Sequence, residues 1–393
     1  MQTHSSIIDV PEALHDLNRL YVEAGHVLWF VGGCVRDALK GVDCKDVDLA
    51  TTATPEQQIA ICDAAGLRWF GTGLQHGTIT VLADGVPYEI TTLRRDVETD
   101  GRHAEVEWTT DIAVDLGRRD LTINAMAMTF EGELVDPFGG SQDLSYGCVR
   151  FVGDAETRID EDHLRIMRWF RFQGRFGTNV GRHGGPDGGF PRDFAAIRKK
   201  AGLLANISVE RIWSETARIL TGPGTMTVID LMDRSGTLDA IGLTRGRILR
   251  FRHARDQTDD PAALLAFWQG ADAPAILERW KASGAERDAA AYVARRLDGE
   301  YGIDDAKWDL VGGGRRDLVL ALLAASQGQS AVAGVADWEI PVFPLKGGDL
   351  IAAGMKPGKA VGETLASLRT AWRESGYRLS SEVMLAEVRT EAR

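Results

Sequence analysis

Cysteines are few and unpaired in the sequence: Cys34, Cys44, Cys62 and Cys148 form no CxxC element, which excludes a zinc ribbon or a disulfide framework and leaves reduced thiols. The eight histidines show no HExxH or comparable metal spacing. Long apolar runs are missing too. The stretch LVLALLAAS from Leu318 is far shorter than the roughly 18 to 20 residues that span a bilayer. The first residues, MQTHSSIIDVPEALHD, lack the charged start, apolar centre and small-residue exit of a signal peptide, so the expectation is a cytoplasmic protein. Positive charge is in deficit, with 45 Lys and Arg against 57 Asp and Glu and a net charge of -12. That argues against a protein that coats nucleic acid nonspecifically. A net value hides local fields: between Arg150 and Lys200 basic side chains outnumber acidic ones by about four, so any nucleic-acid contact is expected to concentrate there.

What is present fits a folded protein of more than one domain. At 393 residues the chain exceeds one hydrophobic core, and its 44% hydrophobic and 26% charged content is ordinary for a globular chain. Leu14, Leu17, Leu20 and Tyr21 recur at helical spacing before Gly25. HVLWFVGG then reads as a strand ending in glycines, CVRDALKG as a short helix and DVDLA as a strand. Thr54 and Pro55 mark the start of another helix, and HGTITVLADG with VPYEITTLR reads as a hairpin turning at Ala83 to Val86. The expected fold class is α+β, with a mixed, largely antiparallel sheet up to about Gly140. After DPFGGSQDL the pattern becomes helical, as in EDHLRIMRWFRFQGRF, ISVERIWSETARIL and RRDLVLALLAAS.

Chemistry concentrates first in FVGGCVRDALKGVDCKDVDLATTATPEQ. On a strand, Asp46 and Asp48 would share one face. Two carboxylates that close call for a cation, and Mg²⁺ suits them. Gly32 and Gly33 let backbone N–H groups approach phosphate oxygens at the start of a helix, and Arg36 is placed to add a charge-assisted bond to a triphosphate. Either element alone is, in most proteins, only a tight turn or a solvated sheet edge. GGxVRD with a DxD ten residues on is much more specific.

That segment closely resembles the nucleotidyltransferase motif of class II tRNA nucleotidyltransferases (the CCA-adding enzymes) and bacterial poly(A) polymerases. Further motifs follow in the family's order. RRDLTINAMAM, from Arg118, is similar to its second motif, where the resemblance assigns Arg119, Asp120 and Asn124 to the nucleotide's sugar and phosphates. Glu89 matches a position given as a third core carboxylate. DPFGGSQDL looks like the hinge between head and neck, with Gly139 and Gly140 giving freedom to pivot. In EDHLRIMRWFRF, Asp162 and Arg165 would be neighbours on one helix. A carboxylate accepts from the exocyclic amine of C or A and a guanidinium donates to the adjacent ring nitrogen or oxygen, so one pair can read both bases and reject G and U. The resemblance makes this pair the protein's template for the incoming base, with Arg168 in support.

DGRH, Asp100 to His103, is similar to the loop that family members use in switching from C to A addition, and ISVERIWSETARIL to a fifth motif that braces the neck. The C-terminal FPLKGGDL with its later PG resembles an element that contacts the acceptor and T arms of tRNA. The resemblance thus implies a head over 1–140, a helical neck over 141–235 and a tRNA-binding body and tail over 236–393. It implies addition of C, C and A from CTP and ATP with Mg²⁺ at Asp46 and Asp48, and leaves open poly(A) addition, partial CC or A addition, and a silent RNA-binding relative. A monomer and a homodimer are equally compatible. The HD phosphohydrolase domain of some relatives is not expected, because the HD dipeptide His15–Asp16 lies in the first helical segment with only His4 before it.

Overall fold

The computed structural model of the protein describes residues 8, 10–44, 46–97, 105–177 and 189–391. The DGRH loop lies outside these residues. The chain divides into two compact units, Met1–Thr244 and Arg245–Arg393. The expected head and neck share the first.

In the first unit α1 (Glu12–Glu23) buries Leu14, Leu17 and Tyr21, the stripe anticipated from sequence. It leads into β1 (Leu28–Val31), α2 (Gly33–Leu39) and β2 (Asp48–Thr51). Helix α3 (Pro55–Ala64) starts on a full capping box, Thr54 with Gln57, and carries Pro55 in its first turn, so two otherwise orphaned N–H groups are satisfied. Strands β3 (Arg68–Gly73), β4 (Thr78–Ala83) and β5 (Val86–Thr92) follow. The β4–β5 turn holds Asp84 and Gly85 at φ 49° and 78°, as a two-residue hairpin requires. Strands β6 (Arg94–Val97) and β7 (Glu105–Trp108) make a separate ribbon. After α4 (Ile112–Gly117) and a 3-10 turn at Thr122–Asn124 come the short strands β8 (Ala127–Met128) and β9 (Leu134–Val135).

The seven-stranded sheet has the order β3-β4-β5-β2-β1-β8-β9. Strands β2 and β5 run parallel and the remaining pairs antiparallel, which is the mixed, largely antiparallel sheet expected. Its central strands are buried on both faces, with Trp29, Val31 and Ala50 packed on Leu93, Leu116 and Val152. In β2 only Asp48, at the leading end, is exposed.

Helices then follow: α5 (Gly140–Tyr146), α6 (Ala155–Glu161), α7 (Arg165–Phe176), α8 (Gly189–Lys200), α9 (Val209–Thr221), α10 (Thr225–Arg234) and α11 (Thr237–Ala240). The DPFGG turn is tied rather than loose. Asp136 accepts hydrogen bonds from the Gly140 and Ser141 N–H groups at 2.7 and 2.9 Å and from the Ser141 hydroxyl at 2.6 Å. A Cβ on Gly140 would lie 2.1 Å from the Thr122 carbonyl oxygen, so that glycine serves close packing, not pivoting.

Helices are the only regular elements of the second unit among its described residues, as the sequence pattern indicates: α12 (Ile248–Arg255), α13 (Pro261–Gln269), α14 (Ala273–Arg279), α15 (Gly284–Leu297), α16 (Ile303–Val311), α17 (Arg316–Gln327), α18 (Gln329–Val332), α19 (Gly347–Ala352), α20 (Lys359–Glu374) and α21 (Ser381–Glu391). Its last three helices enclose a small core of Leu350, Val361, Leu368, Trp372, Met384 and Val388. No helix among the described residues is long and apolar enough to cross a membrane.

Candidate active site

Strand β1 ends against the start of α2, and Gly32 makes the junction with φ 70° and ψ -122°, a conformation open to glycine and costly for other residues. Its N–H donates to the Met126 carbonyl at 3.0 Å, and a Cβ there would lie 2.6 Å from Arg119 Nη1. A cavity of about 390 Å³ opens over this junction. Gly32, Gly33, Arg36 and Asp48 line it from α2 and β2, Arg119, Asp120 and Asn124 from the second motif, and Asp162, Arg165 and Arg168 from the α6–α7 region. Residues far apart in sequence thus meet at one place. Arg118 and Phe172 also line it and were not singled out from sequence. The arginine doublet of RRD was the available signal for the first; nothing distinguished Phe172 from its apolar neighbours.

Asp46 lines an adjoining cavity that shares Gly33, Arg36 and Asp48 with the first. The strand expected through both aspartates starts only at Asp48. Asp46 lies in the bend before it, where its carbonyl accepts from the Cys44 thiol at 3.1 Å. Glu89 stands opposite Asp48 in the parallel β2–β5 register, which puts the two carboxylates on one face. Asp48 keeps a solvent-exposed edge, yet desolvation by the surrounding cavity walls raises its pKa above the ordinary value against the pull of Arg119, and Glu89 and Asp46 add to the rise. A cation would relieve that crowding. The donors are carboxylate oxygens, which suit a hard divalent ion. Among the described residues no three metal-ligating side chains already form a cage, so such an ion would need further ligands from a substrate.

Asp120 is a buried anchor. Its Oδ2 accepts from Arg168 Nε at 2.7 Å, and its Oδ1 from the Leu121 N–H at 2.9 Å and the Asn124 amide at 3.1 Å. Burial opposes its charge, yet Arg168 and these donors outweigh burial and hold its pKa below the usual value. Asn124 in turn accepts from Arg36 Nη1 at 2.5 Å, and Arg36 also bonds Asp37 at 2.9 Å and lies 5.0 Å from the Phe172 ring centre. Arg36, expected to meet a triphosphate, is therefore also a structural link from α2 to α7. Arg119 is held less firmly. Its contacts to Asp115 and the Asn124 carbonyl are both 3.5 Å long, its buried Nε has no hydrogen-bond partner, and burial lowers its pKa. A loosely bonded cation beside Gly32 suits an anionic ligand.

Asp162 and Arg165 do not share a helix. Asp162 is extended, at φ -153° and ψ 106°, and ends α6; its Oδ1 accepts from the Leu164 N–H at 3.1 Å, a local bond that competes with helix continuation. Nor do the two pair. Asp162 bonds Arg211 of α9 at 2.7 Å. Arg165 pairs with Glu161 and donates to the carbonyls of Arg158 at 3.1 Å and Arg118 at 3.0 Å. Each is fixed by its own partners, and both face the cavity lining as separate acceptor and donor.

A mixed sheet carrying a glycine turn and an acidic strand end, with arginines around one cavity, defines a nucleotide-handling phosphoryl-group enzyme. Residues 28–150 match the Poly A polymerase head domain, and 191–242 the probable RNA and SrmB-binding site of polymerase A. The chain is 38% identical over 396 residues to human CCA tRNA nucleotidyltransferase 1, mitochondrial, covering 96% of this chain and 90% of that protein. It is 32% identical to the CCA-adding enzyme of Latilactobacillus sakei over 91% of this chain and 92% of the relative. Its fold is similar to the crystal structure of the Bacillus stearothermophilus CCA-adding enzyme in complex with CTP, with TM-score 0.75, 29% identity and 97% of each chain covered. The chain belongs to the CCA-adding tRNA nucleotidyltransferase family and is a nucleotidyltransferase.

Proposed function

We propose that this enzyme completes the 3′ end of tRNA by adding C, C and A in turn from CTP and ATP, releasing pyrophosphate at each step. The observation that carries the proposal is the convergence of Gly32, Asp48, Asp120 and Asp162 on one cavity, in a chain whose relatives over nearly its full length are CCA enzymes. That coverage favours CCA addition over poly(A) addition, although the head is of a type named for poly(A) polymerases.

In this reading Gly32 and Gly33 admit the triphosphate to the N-terminal end of α2, where backbone N–H groups meet phosphate oxygens. Arg119 and Asn124 orient phosphates and ribose, with Asp120 and Arg168 holding them in place. Asp162 accepts from the exocyclic amine of cytosine or adenine while Arg165 donates beside it, so G and U present a carbonyl where an amine is needed. The 3′-oxygen of the RNA attacks the α-phosphorus in line, and the bond to the β-phosphate oxygen breaks. Asp46 and Asp48, with Glu89 alongside, are the residues that would hold Mg²⁺, which when bound neutralises phosphate charge and eases ionisation of the attacking hydroxyl.

The assignment extends to the domains, with 1–140 catalytic, 141–235 reading the base and 236–393 gripping tRNA through its acceptor and T arms. The four cysteines are all free thiols, in keeping with a cytoplasmic setting. The test is incorporation of labelled CTP and ATP into tRNA lacking its 3′ end, with Mg²⁺ present. Wild type incorporates both, and Asp48→Asn lowers turnover by at least about 100-fold while still binding tRNA. No incorporation by wild type would overturn the proposal.

A further inference from the structure

Asp120 and Asn124, which line the nucleotide cavity, sit on a segment that is itself held from behind. Leu121 forms an antiparallel bridge with Phe151. The Val152 N–H donates to the Asp120 carbonyl and the Thr122 N–H to the Arg150 carbonyl, both at 3.0 Å. Residues 149–152 line neither of the two adjoining cavities; they are tied instead to the surrounding helices. The Trp169 indole N–H of α7 donates to the Val149 carbonyl at 3.1 Å, and Asp193 of α8 accepts from the Phe151 N–H on Oδ2 at 2.9 Å. On the flank, Asp143 of α5 accepts from the Thr122 hydroxyl at 2.6 Å and from Arg150 Nε at 2.7 Å.

Asp193 is the member with no place in the site. It is fully buried, and no residue of its helix lines either cavity. Its position is nevertheless fixed. The Trp169 ring lies 5.6 and 6.4 Å from those of Phe190 and Phe194, and Lys199 and Lys200 bond Glu156 and Asp160 of α6 at 2.7 and 2.6 Å, so α8 presents a stationary acceptor to the Phe151 N–H. That bond is buried, and a buried backbone N–H without an acceptor is costly. If Asp193 could not accept, the segment would regain a partner only by shifting, and the bridge would carry residues 120–122 with it. The Asp120 side chain is bound to Arg168 at 2.7 Å and to the Asn124 amide at 3.1 Å, so a shift behind it reaches the groups that face the nucleotide.

We propose that Asp193 is a positioning residue for nucleotide binding: it fixes Phe151 and, through the bridge to Leu121, the place at which Asp120 and Asn124 meet the sugar and phosphates of CTP or ATP. The inference rests on the reading of that cavity as the nucleotide site, and it gives a part in it to a side chain that never touches the ligand.

The test compares, in the full-length enzyme, Asp193→Leu, which keeps the side chain's shape and removes the acceptor, with Asp193→Asn, which keeps an oxygen for the Phe151 N–H. The CTP dissociation constant measured without tRNA is expected to rise about fivefold or more in Asp193→Leu and to stay within about twofold of wild type in Asp193→Asn, with tRNA affinity unchanged in both. Amide hydrogen exchange follows the tie itself: peptides over 118–124 and 149–152 should exchange faster in Asp193→Leu and at the wild-type rate in Asp193→Asn. A third arm needs no variant, because saturating CTP should slow exchange at 149–152 in wild type although that segment lines neither cavity. If Asp193→Leu does not fold, this arm decides. Wild-type CTP affinity in folded Asp193→Leu, an equal loss in Asp193→Asn, a loss of tRNA affinity in place of CTP affinity, or exchange at 149–152 indifferent to CTP would each overturn the proposal. Wild type that binds neither CTP nor ATP would instead remove the nucleotide reading, while exchange at 118–124 in the variants still tests the tie, so the two failures are distinguishable.

Discussion

Gly32→Ala separates backbone strain from damage to the site when it is compared with Gly41→Ala. Both glycines have positive φ, 70° at Gly32 and 68° at Gly41, so alanine is strained at either, at a cost of about 1–3 kcal/mol. Their surroundings differ. A Cβ at Gly41 meets nothing within 4 Å, whereas one at Gly32 lies 2.6 Å from Arg119 Nη1. No carbon and nitrogen sit that close without a bond, so the guanidinium must move, and its 3.5 Å contacts offer little resistance. If Arg119 bonds the nucleotide, its displacement removes a charge-assisted hydrogen bond worth about 1.5–3 kcal/mol, or roughly 10- to 100-fold in affinity. Urea unfolding should show both variants destabilised, and equilibrium CTP binding should weaken only in Gly32→Ala. Wild-type CTP affinity in Gly32→Ala, or an equal loss in Gly41→Ala, would refute the assignment of Arg119 to the ligand.

Other perturbations follow from the same geometry. Asp120→Asn leaves Arg168 without its buried counter-charge and should destabilise the fold by about 2–4 kcal/mol at pH 7, somewhat less than a fully buried pair because Arg168 is 33% exposed. Because the folded Asp120 pKa is depressed, the wild-type advantage is present above the unfolded value near 3.9 and should shrink as pH falls below it, which denaturation at pH 7 and pH 3 would check. Asp193 behaves oppositely: buried, with Oδ1 lacking a hydrogen-bond partner, its pKa is pushed up to about 7 mainly by burial. The folded state then holds a proton the unfolded chain releases, so stability should fall by up to about 4 kcal/mol as pH rises from 4 to 7. Asp193→Asn keeps an oxygen for the Phe151 N–H, bonded at 2.9 Å in the wild type, and should remove that slope and exceed wild type at pH 8. Asp162→Ala should relax base choice, read as UTP misincorporation against CTP; unchanged selectivity would refute its role as a template.

Much of this was legible in the sequence because the signals were local. Thr54 with Pro55 and Gln57, the Asp84–Gly85 turn and the heptad-like stripe of α1 each fix a structure through neighbours a few residues away. The gathering of Asp48, Asp120 and Asp162 followed from resemblance, not from any rule of spacing, since residues that distant are brought together only by the sheet order. Where spacing was trusted over local bonding it misled. The DxD pattern implies a strand through Asp46, but the chain bends there, with the Asp46 carbonyl taking the Cys44 thiol, and β2 begins at Asp48. The three-residue step from Asp162 to Arg165 looked helical, but the Asp162 side chain takes the Leu164 N–H and stops the helix. Arg36 looked like a phosphate ligand alone, and its bond to Asn124 across 88 residues has no sequence signature. Phe172 was hidden for a related reason: an apolar residue on an amphipathic helix reads as core until its arginine neighbours are seen around it.

The central claim is that one site adds a defined C, C, A sequence to tRNA. It is tested most directly by sequencing the products formed with CTP, ATP and Mg²⁺ on three RNAs: tRNA lacking CCA, tRNA ending in CC, and an unstructured RNA. The first is expected to gain CCA and stop, the second to gain a single A, and the third to be left unextended. Long A tracts on the unstructured RNA, or extension of the first substrate by C alone, would contradict it.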